Sequence, residues 1–254
     1  ISCCKFNISE VQNPFMPKEV IVPEMVKVTG GIIEGADYPW APPKGNFPKG
    51  RRVQLSDFAI GKYEVTQEEY YSVMKDEVVS VTAYVDGVGE RTAEFFMDSR
   101  PSFCKPNNPP YHCFEGENQE RRPVEGITFY DALWYCNALS RKTDLEPVYK
   151  IKVTEVTSVN FSSHITNAEV EMIPGANGYR LPTLCEAEYA MRGGDPNAPD
   201  WDYLFSGAVS EPGRERYSIN KGLDPVGWYQ YNNKTGVSGT SDSDRENNTY
   251  YSYQ

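Results

Sequence analysis

Three stretches of the chain place hydrophobic residues at helical spacing directly behind a threonine. In two of them the threonine is followed three residues later by glutamate, so that each side chain can satisfy a free backbone amide of the other residue. These capping boxes are Thr66 with Glu69 and Thr183 with Glu186. In the third stretch Thr128 is the cap and Asp131 is the acidic residue of the first turn. The pattern predicts three helices that begin after these threonines.

Each predicted helix has an apolar face, which we expect to pack against the core because its members recur three and four residues apart. Residues Tyr70, Val73 and Met74 form this face in the first helix, residues Phe129, Ala132, Leu133, Cys136 and Leu139 in the second, and residues Ala187, Ala190 and Met191 in the third. Cys136 is interpreted as a small buried hydrophobic residue.

Alternating apolar and polar residues predict short strands at 24–31, 52–61 and 62–65. A hairpin fits an insertion at about 148–177, with one face in water. Residues 76–120 lack a helical period and contain several prolines, so we expect a loop there, with a hairpin around Asp86-Gly87.

The domain organisation follows from these elements. Residues 1–23 form an extended lead-in, and residues 24–254 form a single domain. Hydrophobic residues make up 39% of the chain and charged residues 24%, a balance typical of a soluble globular protein. No apolar run approaches the roughly 20 residues that span a membrane. We expect a monomer.

The net charge of −11 argues against nucleic-acid binding, because contact with phosphates needs a basic face. The chain has two histidines, His112 and His164, which excludes a three-histidine metal site within it. No phosphate-binding loop, nucleophile elbow or CxxC motif is present. We therefore assign no catalytic residue, no metal ligand and no cofactor.

The six cysteines are too few for a disulfide scaffold at this length. Cys104 and Cys113 bracket a loop rich in proline and asparagine, and either a disulfide or two thiols fits there. Cys3 and Cys4 are candidate lipid-attachment residues of a bacterial surface protein, and an unstructured terminus fits them equally. Since the chain begins at Ile1, we interpret it as a processed or engineered form.

The last part of the chain gives the one positive functional signal in the composition. Tyrosine mixed with asparagine, serine and glycine is typical of adaptable binding surfaces, although a flexible linker or frayed end has the same composition. The candidate ligand-binding residues are Trp228, Tyr229, Tyr231, Asn232, Tyr250, Tyr251 and Tyr253.

Four motifs stand in a recognisable order along residues 24–230. They are the segments 25–31, 57–66, 122–140 and 178–194, which read MVKVTGG, DFAIGKYEVT, RPVEGITFYDALWYCNALS and GYRLPTLCEAEYAMRGG. This order resembles the formylglycine-generating enzyme family, also called the sulfatase-modifying-factor domain. The resemblance implies an α+β fold, a large variant of the C-type lectin fold, with two to three helices, small antiparallel sheets and much irregular structure.

The chain departs from the family in ways that affect function. The family's Trp-Glu-Tyr in the last helix reads Ala187-Glu188-Tyr189 here, and its later motifs do not occur before Gln254. Catalytic members bind copper through two cysteines in that later part, and no cysteine follows Cys185. We therefore carry over no catalytic or copper-binding residue.

Some members of the family are not enzymes but ligand-binding proteins diversified by retroelements. The resemblance therefore favours a non-catalytic, extracytoplasmic lipoprotein of the cell surface, attached to the membrane through an N-terminal lipid only, whose unidentified ligand is a protein or a cell-surface molecule. One alternative is a formylglycine-generating oxidase that acts on a substrate cysteine and is truncated before its copper-binding cysteines. Another is a structural surface lipoprotein without a defined ligand.

Overall fold

The computed structural model describes residues 20–37, 45–103, 118–159, 162–199 and 201, together with the backbone of residues 4–5. These residues contain three α-helices, one short 3-10 turn and strands paired in small antiparallel sheets, which confirms the α+β prediction. The elements are β1 (Cys4–Lys5), β2 (Met25–Val28), β3 (Gly31–Glu34), β4 (Arg52–Leu55), β5 (Phe58–Gly61), α1 (Gln67–Met74), β6 (Val78–Val85), β7 (Gly89–Phe96), the 3-10 turn (Gln119–Arg121), α2 (Phe129–Lys142), β8 (Tyr149–Val159), β9 (Ser162–Met172), β10 (Tyr179–Arg180) and α3 (Leu184–Met191).

The chain divides into two compact units. The first comprises Ile1–Val28 and Asp57–Pro182, and the second comprises Thr29–Ser56 and Thr183–Gln254. The first unit holds α1, α2, a four-stranded sheet in the order β10-β1-β5-β2, and the hairpins β6–β7 and β8–β9. The second unit holds α3 and the β3–β4 pair.

All three predicted helices begin where their caps stand. Thr66, Thr128 and Thr183 each accept a hydrogen bond from the backbone amide three residues later, and the acidic side chain there accepts one from the threonine's own amide. Each box satisfies two amides that the first turn leaves without a helical partner. The caps therefore fix three helix starts from residues that are close together in sequence.

The core of the first unit lies between α1, α2 and the two hairpins. The predicted face of α1 is confirmed, because Tyr70, Val73 and Met74 are fully buried. The rings of Tyr70 and Tyr135 stack with their centroids 5.3 Å apart. Burial of a side chain of this size stabilises the fold by roughly 1.5–3 kcal/mol.

Buried polar side chains on α2 fasten neighbouring strands to this core. The side chain of Asn137 donates to the carbonyl of Tyr149 (2.6 Å) and accepts from its amide (3.1 Å). Ser140 accepts from the amide of Tyr179 (2.8 Å) at the start of β10. Next to it, a Cβ on Gly178 would stand 2.3 Å from the carbonyl oxygen of Glu146, so only glycine fits there. The side of α2 that faces β8 and β10 is thus partly a hydrogen-bonding surface.

Two predicted apolar faces need correction. On α2, Ala132, Leu133, Cys136 and Leu139 are buried, but Phe129 is 64% exposed. Phe129 is the first helical residue, and a helical side chain leans toward the N-terminus, which here carries the ring away from the packed face.

On α3 the predicted face made of Ala187, Ala190 and Met191 is only partly confirmed, because Ala187 and Ala190 are half-buried but Met191 is not. Met191 is 75% exposed, and the buried residues are Glu186 and Tyr189. The reason is that Glu186 turns inward to complete the cap of the helix, so the packed face is set by a polar contact.

The strand predictions also need adjustment. Residues 62–65 form no strand, and residues 52–61 form two strands in different sheets. The hairpin at Asp86-Gly87 is confirmed, with Gly87 in the left-handed region (φ +73°), but the surrounding loop prediction was wrong because β6 and β7 are eight residues long. A second hairpin, β8–β9, occupies 149–172, where the alternation predicted one.

The second unit is built around aromatic rings. Trp201 lies 5.7 Å from Tyr189 and 6.1 Å from Phe47 between ring centroids, and all three residues are buried. Arg192 donates to the carbonyl of Trp201 (3.0 Å) and to the carboxylate of Glu188 (3.0 Å). The buried guanidinium is therefore paired, as a buried charge must be for the unit to remain stable.

Candidate functional site

The ligand-binding residues predicted from the sequence lie outside the described part of the chain. The same holds for Cys3, Cys104 and Cys113, whereas the backbone of Cys4 forms part of β1, where it is paired with Ile60 and Arg180. Residues outside the described part are Trp228, Tyr229, Tyr231, Asn232, Tyr250, Tyr251 and Tyr253. Their role as ligand contacts stays a prediction.

Within the described residues of the first unit, titratable side chains gather around Asp131. Its carboxylate is fully buried at the start of α2 and accepts from the amide of Thr128 (3.0 Å) and the amide of Ile165 (2.8 Å). The same carboxylate lies 2.7 Å from Nδ1 of His164. The hydroxyl of Thr128 donates to the carbonyl of Ile165 (2.7 Å). Asp131 therefore joins the helix cap to strand β9.

His164 stands between two carboxylates. Its Nε2 lies 3.6 Å from Asp98, on the side opposite Asp131, and its side chain is 26% exposed. The hydrogen bond to Asp131, followed by the one to Asp98, raises the pKa of His164 to about 9, although burial opposes this rise. At neutral pH His164 is therefore mostly protonated. The imidazole is thus a fixed cation that neutralises its neighbours.

Tyr70 lies close enough to this cluster to sense its charge. Burial, with smaller contributions from Asp131 and Asp98, raises the pKa of its hydroxyl well above the ordinary value of 10. This fully buried hydroxyl has no hydrogen-bond partner among the described residues. A phenol in this setting stays protonated and is not suited to proton transfer at neutral pH.

These properties define what the cluster can do chemically. A histidine that acts as a general base must be unprotonated near the working pH, whereas the raised pKa of His164 keeps it protonated. All of the named contacts of Asp131 join parts of the fold, and no group of three or more metal-binding side chains occurs in the described ranges. We conclude that the cluster holds the β8–β9 hairpin on α2 and that its role is structural.

The described cysteines do not fit the copper site of the enzymes that the sequence resembles. Cys136 is fully buried in the hydrophobic core of the first unit, which confirms its interpretation as a small core residue. In the second unit Sγ of Cys185 lies 3.8 Å from a guanidinium nitrogen of Arg51, so its surroundings already contain a cation. We therefore derive no reaction step through copper.

A family model described as the sulfatase-modifying factor enzyme 1-like domain matches residues 11–253. The chain belongs to this family. The resemblance drawn from the ordered motifs is thereby confirmed, as is the C-type lectin-like fold of this family. Among the residues that the structure describes, no helix combines the length and apolar character needed to cross a membrane.

Relatives of this family member include the chaperone protein LppX of Paenibacillus barcinonensis, which is 35% identical over 178 residues. The match covers 69% of the chain and 49% of the relative, so the chain spans about half the length of that curated protein. Solved structures similar to the chain include CarF, at 22% identity and a TM-score of 0.45 over 73% of this chain and 63% of that one. Treponema denticola variable protein 1 matches at 24% identity and a TM-score of 0.41 over 75% and 62%.

The Asp131–His164 cluster escaped the sequence analysis. Thr128 and Asp131 are recognisable in the sequence as the start of a helix, but His164, the partner of Asp131 on β9, is 33 residues away. A hairpin predicted at about 148–177 does not identify the element that covers either of its faces. Finding this cluster requires knowing that β9 packs against the start of α2.

Proposed function

We propose that this chain is a non-catalytic binding module of an extracytoplasmic surface lipoprotein and that its ligand is a polypeptide. The observation that carries this proposal is the relative that is 35% identical over 69% of the chain and is named a chaperone protein. A chaperone acts by binding another polypeptide, and such binding does not require the copper ligands of the oxidases.

The fold supports this proposal in physical terms. In the first unit, two capping boxes and the buried contacts of Asp131 fix the starts of α1 and α2 and join α2 to β9, and a framework fixed in this way tolerates changes in its surface segments. The cluster is also occupied by structural contacts, which leaves it unsuited to acid–base chemistry. Both features agree better with binding than with catalysis.

The finer parts of the proposal concern ligand contacts and attachment. We assign ligand contact to the seven tail residues from Trp228 to Tyr253, and we interpret their composition as that of a protein varied by a retroelement. Cys3 or Cys4 would carry the lipid that attaches the module to the cell surface. The module would act as a monomer and would not bind nucleic acid, since the chain carries a net charge of −11.

Binding can be tested with a defined unfolded protein. Reduced lysozyme, a basic polypeptide that aggregates on dilution from denaturant, would be diluted into buffer with and without the 254-residue chain while light scattering is recorded. We expect near-stoichiometric amounts of the chain to suppress the scattering without a nucleotide. Combined serine substitutions at Tyr250, Tyr251 and Tyr253 should weaken this effect. Unchanged scattering would contradict the proposal.

The oxidase alternative has its own test. The chain would be titrated with copper(I) and then incubated in air with a cysteine-containing peptide, whose mass is followed. We expect neither stoichiometric copper binding nor conversion of the cysteine to formylglycine. Tight binding of one copper ion together with conversion would overturn the non-catalytic assignment.

A further inference from the structure

The β6–β7 hairpin projects far beyond the core that supports it. Its strands pair residue by residue from Val78 opposite Phe96 to Val85 opposite Gly89, with no shift in register. Val79 is fully buried, but every residue from 82 to 94 is exposed except Gly89. We call residues 82–94 the outer ribbon. Half of the hairpin therefore receives little support from the core.

A two-stranded ribbon that extends beyond the core gains little stability from packing. Two strands alone are marginally stable in water. Across the outer ribbon, the hydroxyls of Thr82 and Thr92 form a side-chain hydrogen bond (2.8 Å). Yet the sequence there retains strand-forming residues such as Val85 and Tyr84 rather than those of a short turn. Packing against the core therefore does not explain why the strands of this hairpin are so long.

One face of the outer ribbon has the pattern of a buried surface. Along β6, the side chains of Val79, Val81, Ala83 and Val85 share one face. Across from them on β7 the same face holds Ala93, Arg91 and Gly89, so Arg91 is the one charged residue on it. Val81 is half-buried, whereas Ala83, Val85 and Ala93 are exposed. This alternation is typical of a strand that is covered on one side, so an apolar face continues past the point where the core ends.

The outer ribbon has only part of the usual protection of strand edges, since it carries charged residues but no lysine, proline or bulge. Exposed edges are commonly protected by lysine, proline or a bulge, because their free backbone groups can pair with another strand. The β8–β9 hairpin has two exposed lysines and a register shift near Glu155. Residues 82–94 contain no lysine and no proline, and their pairing has no shift. The edges of the outer ribbon therefore remain open to strand addition.

Charge narrows the kind of strand that can be added. The outer ribbon carries the carboxylates of Asp86, Glu90 and Glu94 and the single guanidinium of Arg91. Like charges brought side by side on paired strands are destabilising, and the whole chain has a net charge of −11. A second copy of the outer ribbon is therefore disfavoured, and a cationic strand is favoured.

We propose that the outer ribbon binds an extended segment of a partner polypeptide by strand addition, with apolar side chains of the segment against the Val85 face and its basic side chains beside Glu90 and Glu94. This inference rests on the proposed polypeptide-binding function and names the chemistry of the partner. Backbone hydrogen bonds supply the affinity in this mode, and the alternate side chains supply the selectivity.

The test uses two labelled peptides with the same charge. In the first, lysine alternates with valine, and in the second, lysine alternates with proline, which cannot donate a ladder hydrogen bond. Fluorescence anisotropy with the full chain should show binding of the first peptide at least about tenfold tighter than of the second. Hydrogen exchange should show added protection within residues 82–94. Equal binding of both peptides, or added protection elsewhere alone, would overturn the proposal.

Paired substitutions locate the contact on one face. Val85→Ser should weaken binding of the valine peptide several-fold, whereas Tyr84→Ser, next to it on the other face and 73% exposed before the change, should have a smaller effect. Thermal melting of both variants checks that the fold is kept. Equal losses in both variants would refute the assignment of the apolar face, and a concentration-dependent dimer that Val85→Ser abolishes would show a second copy to be the occupant.

The two proposals fail separately. If the chain suppresses aggregation of reduced lysozyme but does not bind the valine peptide at the outer ribbon, the binding function stands and the strand-addition site is wrong. If both assays give no binding, the polypeptide-binding function is itself wrong. Binding of reduced lysozyme that Val85→Ser weakens and Tyr84→Ser leaves intact would support both.

Discussion

The charge on His164 makes the stability of the chain depend on pH in a direction that the structure fixes. The pKa of His164 is about 9 in the folded chain, whereas an ordinary histidine has a pKa of 6.5. Because the folded pKa is the higher one, folding is favoured by the protonated form. This stabilisation is complete below about pH 6.5 and is lost as the pH rises through about 9.

The size of the effect follows from the difference between the two pKa values. At 1.36 kcal/mol per pKa unit the full difference corresponds to about 3 kcal/mol. Since the side chain is 26% exposed, solvent screening reduces the interaction, and we expect about 1–2 kcal/mol. Most of this contribution of His164 to the free energy of unfolding should be lost between pH 7 and pH 9.5.

Urea unfolding measured at intervals from pH 6 to pH 9.5 tests this prediction against His164→Gln. Glutamine can accept and donate hydrogen bonds but carries no charge, so the variant should be less stable than the parent at pH 6 and nearly equal to it at pH 9.5. NMR titration gives an independent check, because the chain has only two histidines and the variant assigns their signals. A constant stability difference across this range, or a His164 signal that titrates near 6.5, would refute the reasoning.

Three further changes test the packing, each followed by urea unfolding at pH 7. Gly178→Ala should lower the free energy of unfolding by about 2–3 kcal/mol, because the added methyl group would clash with a backbone carbonyl. The control Gly31→Ala, whose methyl group would meet its nearest atom at 3.7 Å, should lower it much less. Equal losses in the two variants would contradict the clash. Tyr70→Phe removes a buried hydroxyl with no hydrogen-bond partner among the described residues and should be neutral or stabilising. Tyr189→Phe loses a hydrogen bond and should cost about 1 kcal/mol of stability. A larger loss for Tyr70→Phe than for Tyr189→Phe would show that the hydroxyl of Tyr70 is hydrogen-bonded. Thr183→Ala should cost about 1 kcal/mol by opening the cap of α3, and no loss would show that the cap is dispensable.

Sequence reasoning succeeded where the deciding contacts are local. A capping box joins residues three apart, so Thr66 and Thr183 could be recognised as helix starts without knowledge of the fold. The turn at Asp86-Gly87 is equally local and was found. The ordered motifs extended this success to the family, since four segments in sequence order restrict the fold more than any single one.

Sequence reasoning failed where a distant residue decides the outcome. The most buried residues of α3 are Glu186, through its cap contact, and Tyr189, through aromatic packing, so apolar character alone wrongly placed Met191 on the packed face. The length of β6 and β7 was missed because the prolines and the missing helical period led us to interpret all of 76–120 as loop, although apolar residues alternate along β6. His164 was considered only as a metal ligand, and its partner Asp131 lies on another element.

The motif residues that identify the family have structural roles in this chain, so ligand contacts are to be sought elsewhere. In the last motif Thr183 and Glu186 cap α3, and Glu188 holds Arg192 beside Trp201. None of these side chains is left for a ligand in the described structure. The motifs therefore identify the scaffold of the family, and ligand contacts are to be sought in segments that the motifs omit. Our two proposals place binding in the outer ribbon and the tyrosine-rich tail, so substitutions there should change binding while leaving the free energy of unfolding nearly unaltered.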